Sequence, residues 1–302
     1  MGMTRTLIIL VSCLLAFSAA GDLVIELKDG RRIQLPVDAS EIDSISFERK
    51  EQKGDTKRKA RDDGRSSDAR VDVQKAAAGP EASRVLRVGP TRELRRPSDA
   101  ARAARLGDTI EIDAGVYAND YAVWKQSNIT LRGVGGMAHL KSKGLIPNRK
   151  AIWIIKGDNV TIENVEFSGA SVKDTNGAGI RHEGARLTLR NTFFHDNEFS
   201  ILTGRLPRAE IDISASRFWD QKRPKRHSHG IYIGDVRSLT FVGNHVTGTD
   251  KGHQVKSRAR KNLIAYNRIE DRPGGNSSRL LDLSECGFSV VVGNQLHQGH
   301  SS

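Results

Sequence analysis

Seven stretches repeat one pattern of alternating apolar and polar positions: ITLRGV from Ile129, VTIENVEF from Val160, LTLRNTFF from Leu187, IDISASRF from Ile211, LTFVGNHV from Leu239, LIAYNRI from Leu263 and VVVGNQL from Val290. Alternation with period two marks strands that bury one face. The starts are separated by 31, 27, 24, 28, 24 and 27 residues. An uneven period in the mid-twenties, with a strand in every unit, predicts a β-solenoid whose loops vary in length. Each unit carries a second short strand: GAGIRHEG from Gly177, FSILTG from Phe199, HGIYIG from His229, GHQVKSRA from Gly252 and SRLLDL from Ser278. Two or three short parallel strands per coil, stacked in register, predict an all-β fold, a right-handed parallel β-helix over residues 84–302.

The helical period of PSDAARAARLG, from Pro97, gives way to the strand pattern DTIEIDAGVY from Asp108. A short helix there would cover the open first coil and protect its edge. Asn164, Asn191, Asn244, Asn267 and Asn294 recur at or beside the turn after the strand. Stacked at one corner, their amides would bond to one another and to backbone groups.

The N-terminal third is different. Residues 1–20 carry a basic Arg5, an apolar run from Leu7 to Phe17 and small residues at Ser18 and Ala20, the layout of a secretory signal. This predicts a secreted or periplasmic protein. The rival reading takes LVSC, Leu10 to Cys13, as a lipid-attachment signal and gives a cell-surface lipoprotein. With cleavage after Ala20, Cys286 is the one cysteine left and no internal disulfide forms, so folding rests on apolar packing and backbone hydrogen bonds. Residues 21–47 alternate on both sides of Asp29-Gly30 and predict a small β-hairpin module. Residues 48–83, dense in both charge signs, predict a disordered linker. No later run is long and apolar enough for a transmembrane helix.

The run AARAARLGDTIEIDAGVY, ITLRGVGG, VTIENVEFSGA, GAGIRHEG, HGIYIG, GHQVKSRA and NRIED resembles the bacterial right-handed parallel β-helix proteins of the pectin lyase-like superfamily, over about residues 84 to 302. The resemblance implies the fold. It leaves the activity open, because this architecture carries lyases, hydrolases, epimerases, esterases and non-catalytic adhesins. Such relatives continue past GNQLHQG to further coils and a cap, which implies that an end at Ser302 is C-terminally shortened or covered by another subunit. The N-terminal hairpin is similar to a small module near the start of some exported bacterial proteins.

Candidate chemistry follows from the second strands. Registering them on Ile180, Ile201, Ile231, Val255 and Leu281 as inward residues places Arg181, Leu202, Tyr232, Lys256 and Asp282 in one outward column. Gln254 and Arg258 are expected to point outward beside Lys256. His229 and His253 lie at the strand entrances, and His182 points inward or to its strand end. Coils stack at about 4.8 Å, so five span roughly 20 Å, room for several sugar residues. The net charge of +12 suits an anionic partner. An acidic, uronate-containing polysaccharide fits both observations. β-Elimination from a uronate needs its carboxylate neutralised, a base for the C5 proton and an acid for the leaving oxygen. Lys256, Arg258, Tyr232 and His253 are the catalytic candidates, with Lys256 as base once neighbouring cations or burial depress its pKa. Arg181, His229, Gln254 and Asp282 are the substrate-binding candidates. Some β-helix lyases use Lys and Arg on such a face, and VKSR is similar in residue type. C5 epimerisation shares the first half of the chemistry. A non-catalytic module that binds glycan or cell envelope is the alternative.

Hydrolysis would need paired aspartates, and Asp282 stands alone on this face. No cofactor is expected. Ca²⁺ lacks a close acidic cluster, since Asp282 and Glu183 are too far apart in the register, and His227 with His229 lack a third ligand. The basic loop QKRPKRHSH, residues 221–229, is equally a solvated loop or a ligand contact, and behind a signal peptide the ligand it suits is an anionic glycan or bacterial surface polymer rather than nucleic acid. The oligomeric state is left open.

Overall fold

In the computed structural model, the structure describes residues 84–221, 227–285 and 287–299, with the backbone of five short strands before residue 47. The predicted linker, Cys286 and the basic residues 222–226 lie outside the described residues. The chain divides into two units, Met1–Glu81 and Ala82–Ser302. In the first, Leu23–Leu27 pairs antiparallel with Arg32–Leu35 and with Cys13–Phe17, a strand inside the predicted signal segment. Leu7–Ile8 pairs with Ile45–Ser46.

The second unit is an all-β parallel solenoid of about eight turns. One sheet of seven strands runs in the order Arg279–Leu283, His253–Ser257, His229–Ile233, Phe199–Thr203, Ala178–His182, Ala151–Ile155 and Ala122–Trp124. A fifteen-stranded sheet forms two further faces, joined where the long strand Thr130–Lys141 bends from one to the other. What the alternation marks as single strands, such as VTIENVEF, is two: Val160–Glu163 and Val165–Ser168, broken at Asn164 with φ +57°. The left-handed conformation, which Asn tolerates better than most residues, turns the chain at this corner.

Two details depart from the alignment. Leu239 pairs with Asn262 rather than Leu263, because Asn262 turns inward and bonds Ser257, Ala259 and Ser289. The asparagines occupy two positions instead of one. Asn164 and Asn191 are themselves the corner residues, whereas Asn244, Asn267 and Asn294 follow corners at Gly243, Tyr266 and Gly293. The ladder runs from Thr192 through Ser216, Asn244 and Asn267, all buried, to the part-buried Asn294, and the side chains of Ser216, Asn244, Asn267 and Asn294 each accept from a backbone N–H one coil back. The helix Pro97–Ala103 forms where its period predicts, with Pro97, Ala100 and Ala101 buried. It packs on Val85–Val88, Thr109–Ala118 and Ala122–Trp124.

The core is an aromatic column inside the solenoid. Trp124, Trp153, Phe167, Phe194, Phe218 and Phe241 are fully buried, and adjacent rings lie 5.4, 5.0, 4.9, 5.3 and 5.8 Å apart. Each such ring contributes roughly 1.5–3 kcal/mol by its burial. His182 shares this interior, between Ile155 and Thr203 of the neighbouring coils, with no solvent exposure and, among the described residues, no partner in hydrogen-bond geometry for either ring nitrogen.

Candidate functional site

Backbone pairing places Arg181 beside Leu202, Leu202 beside Tyr232, Tyr232 beside Lys256 and Lys256 beside Asp282, one outward column of the seven-stranded sheet. A second column carries Phe199, His229, His253 and Arg279. The sequence makes this possible with glycines at the strand entrances. A Cβ on Gly252 would collide with the carbonyl of Ser228, and one on Gly230 with that of Gln254. Only glycine lets successive coils close this tightly just before His253 and just after His229.

The lower half of the face is apolar: Ala151, Ile154, Ala178 and Phe199 are buried, with Val123, Leu202 and Tyr232 packed on them. Past Tyr232 it becomes ionic. Lys256 Nζ donates to Asp282 Oδ2 at 2.6 Å, and His253 Nδ1 lies 2.8 Å from the same oxygen without hydrogen-bond alignment. The side chains are only 11–14% exposed. The backbone N–H of His253 donates to His229 Nδ1 at 3.1 Å, and the two imidazoles are 4.9 Å apart. Lys256 Nζ and the Arg258 guanidinium sit 5.9 and 5.7 Å from the Tyr232 ring centre, within cation–π range.

Electrostatics sorts these groups. Burial pushes the Asp282 carboxyl up, but the Lys256 hydrogen bond and the charges of His253, Lys256 and Arg279 outweigh it, so Asp282 titrates below its ordinary range. Burial pulls His253 down, Asp282 opposes, and Lys256, Arg279 and His227 add to the lowering; its imidazole is favoured in the neutral form. Arg258 Nη1 reaches Glu285 at 3.3 Å, and Arg181 Nε lies 3.9 Å from Glu183. The Nε–H groups of both arginines are buried and have no hydrogen-bond partner among the described residues. The side chains themselves are 29% exposed at Arg181 and 40% at Arg258, and a guanidinium is the natural complement of a carboxylate.

Gln254 is a correction. It does not face outward but is fully buried, accepting from the Thr249 hydroxyl at 2.7 Å and donating to the Asp271 carboxylate at 2.7 Å. The turns on both sides of the coil claim its amide, so it holds the loop rather than a ligand. His229 offers Nδ1 to a backbone N–H, and His227 Nδ1 meets the Lys251 carbonyl, so both rings have structural work. Sequence reasoning missed a separate group on another face, His139, Glu166 and His195. Their spacing of about one coil was the available signal. A cavity of about 440 Å³ lies at the N-terminal end of the solenoid, lined by Val85, Leu86, Arg87, Arg92, Glu93 and Leu94, none of them in the column. No helix among the described residues is long and apolar enough to cross a membrane.

A family model described as a right handed beta helix region matches residues 114–301. No curated protein matches the sequence. Among solved structures, the chain is similar to a PL6 family alginate lyase, AlyGC, in an arginine-to-alanine mutant, at 14% identity and a TM-score of 0.42. The match covers 94% of this chain and 47% of that one, so this chain spans about half its length.

Proposed function

The chain belongs to the right-handed β-helix family, and from that premise we propose that the outward face of its seven-stranded sheet binds an acidic, uronate-containing polysaccharide and acts on it by β-elimination or C5 epimerisation, in an exported protein. The observation that carries this reading is one outward column of Tyr232, Lys256 and Asp282 in which His253 and Lys256 meet at Asp282 Oδ2 and the Arg258 guanidinium lies beside the Tyr232 ring. Arg181 and Arg258 supply what a uronate carboxylate needs, a neutralising charge that makes the C5 proton acidic.

Relative to the sequence reading, this proposal exchanges two roles. Lys256 donates to Asp282, whereas His253 is the group whose neutral form is favoured. We therefore assign His253 as the base. It takes the C5 proton; the electron pair forms the C4–C5 double bond; the C4–O bond breaks, and Tyr232 or Lys256 protonates the departing oxygen. In epimerisation the C4–O bond stays and a proton returns to C5 from the opposite face. The apolar half of the face, from Ile154 to Leu202, favours a second reading. There the same surface is a binding platform and the ionic end only anchors the chain.

The test is ultraviolet absorbance of unsaturated uronate ends when purified protein is mixed with alginate, pectate, hyaluronan or chondroitin, beside His253→Ala and Lys256→Ala. A signal on one polymer that His253→Ala abolishes establishes elimination. Deuterium entering C5 from heavy water without chain cleavage establishes epimerisation. Binding with neither outcome leaves the platform, and no interaction with any acidic polymer refutes the reading.

A further inference from the structure

On a different face of the solenoid, three consecutive coils bring His139, Glu166 and His195 together. His139 stands in the strand Thr130–Lys141, Glu166 in Val165–Ser168 and His195 in Phe193–His195. Glu166 pairs directly with His139, and Ser168 with both Lys141 and His195. His195 Nε2 lies 2.9 Å and His139 Nδ1 3.2 Å from the same carboxylate oxygen, Oε1 of Glu166. The three atoms all fall within 4.8 Å of one another.

We propose that His139, Glu166 and His195 form a binding site for a divalent transition cation of the zinc type. Nitrogen and oxygen donors bound about 2.0–2.2 Å from such an ion stand roughly 3–3.5 Å apart, close to the two separations here. Two imidazoles and one carboxylate are a donor set for zinc, cobalt, nickel or iron(II), and too poor in oxygen for calcium.

The outer contacts strengthen the assignment. The far nitrogen of each imidazole is already engaged: His195 Nδ1 by the Asp196 carboxylate at 2.6 Å, and His139 Nε2 by the Ser168 hydroxyl at 2.7 Å. A proton held on the far nitrogen leaves the near one as a lone pair. Two lone pairs and a carboxylate oxygen then face one another, an arrangement that a cation between them stabilises. The side chains are 16–23% exposed, so solvent reaches the site and water can fill the remaining coordination positions. All three residues sit on paired strands, and little ordering remains for the ion to impose.

The alternative is a metal-free ladder in which His195 bridges Glu166 and Asp196 by hydrogen bonds through its two ring nitrogens. Calorimetric titration of the full chain with Zn²⁺ alone, with Ca²⁺ alone as the hard-cation control, separates the two. The visible absorption of bound Co²⁺ reports the ligand field independently. The expected result is one Zn²⁺ site, no comparable Ca²⁺ site, and a loss of affinity of at least about tenfold in His139→Ala and in the near-isosteric Glu166→Gln. His229→Ala and His253→Ala should bind Zn²⁺ as the parent does, which keeps this result separate from the candidate polysaccharide site. Circular dichroism melts confirm that each variant is folded. Absence of Zn²⁺ binding, or binding that survives both His139→Ala and Glu166→Gln or disappears in His229→Ala, overturns the proposal.

Discussion

His182 sets a measurable acid limit on the solenoid. It is buried between Ile155 and Thr203 of the neighbouring coils, and burial drives its pKa from 6.5 down to about 4 against the opposing influence of Asp158, the Gly184 backbone and Glu183. The folded form therefore holds the ring neutral while the unfolded chain takes up a proton. Below pH 6.5 the unfolded state binds more protons, so stability falls with pH and levels off near the folded value of about 4. A displacement of about 2.5 pKa units, at about 1.36 kcal/mol per unit, corresponds to roughly 3 kcal/mol lost across that window. His182→Leu removes the titrating group while keeping most of the volume. Urea unfolding followed by tryptophan fluorescence, at pH 4 to 8, gives two stability curves. Carboxylates common to both proteins cancel in their difference. The variant should gain on the parent by about 3 kcal/mol between pH 6.5 and 4, with no further change above 7. Parallel curves would show that His182 is solvated or partnered when folded, and the argument from burial would fail.

Three further outcomes are expected. Asn267→Ala should cost about 2–4 kcal/mol in chemical unfolding, because Asn267 bonds Asn244, Asn294 and the Phe241 carbonyl inside the ladder; a loss under 0.5 kcal/mol would mean that water replaces the amide. Gln254→Ala should lower stability by about 2 kcal/mol, with polysaccharide affinity at 25 °C unchanged, and a selective loss of affinity would return Gln254 to the ligand face. Arg258→Lys should weaken polymer binding several-fold despite conserving charge, since lysine cannot present the planar fork of a half-exposed guanidinium; equal binding isotherms would assign Arg258 a purely electrostatic role.

Strand alternation carried most of the architecture because a solenoid repeats one buried face, and each unit corrects the reading of the next. Arg181, Tyr232, Lys256 and Asp282 could be aligned from sequence since Ile180, Ile231, Val255 and Leu281 fix an inward register. The burial of Gln254 could not, because Thr249 and Asp271, which hold it, come from turns outside its strand. Asn262 slipped the register by one because a polar side chain took an inward position that alternation reserves for an apolar one. The His139–Glu166–His195 group escaped for a different reason. Two of its strands, Val165–Ser168 and Phe193–His195, are too short to show a period and follow directly on a corner that alternation does not mark.

The ladders have a mechanical consequence. The hydrogen bonds between parallel strands, the asparagine amides and the aromatic column all join one coil to the next, so they run along the solenoid axis. Tension applied along that axis loads the junctions in series, and every junction feels the whole force while none shares it. The described solenoid should therefore yield by peeling, one coil at a time from its weakest junction, at forces far below those of folds whose strands are sheared lengthwise.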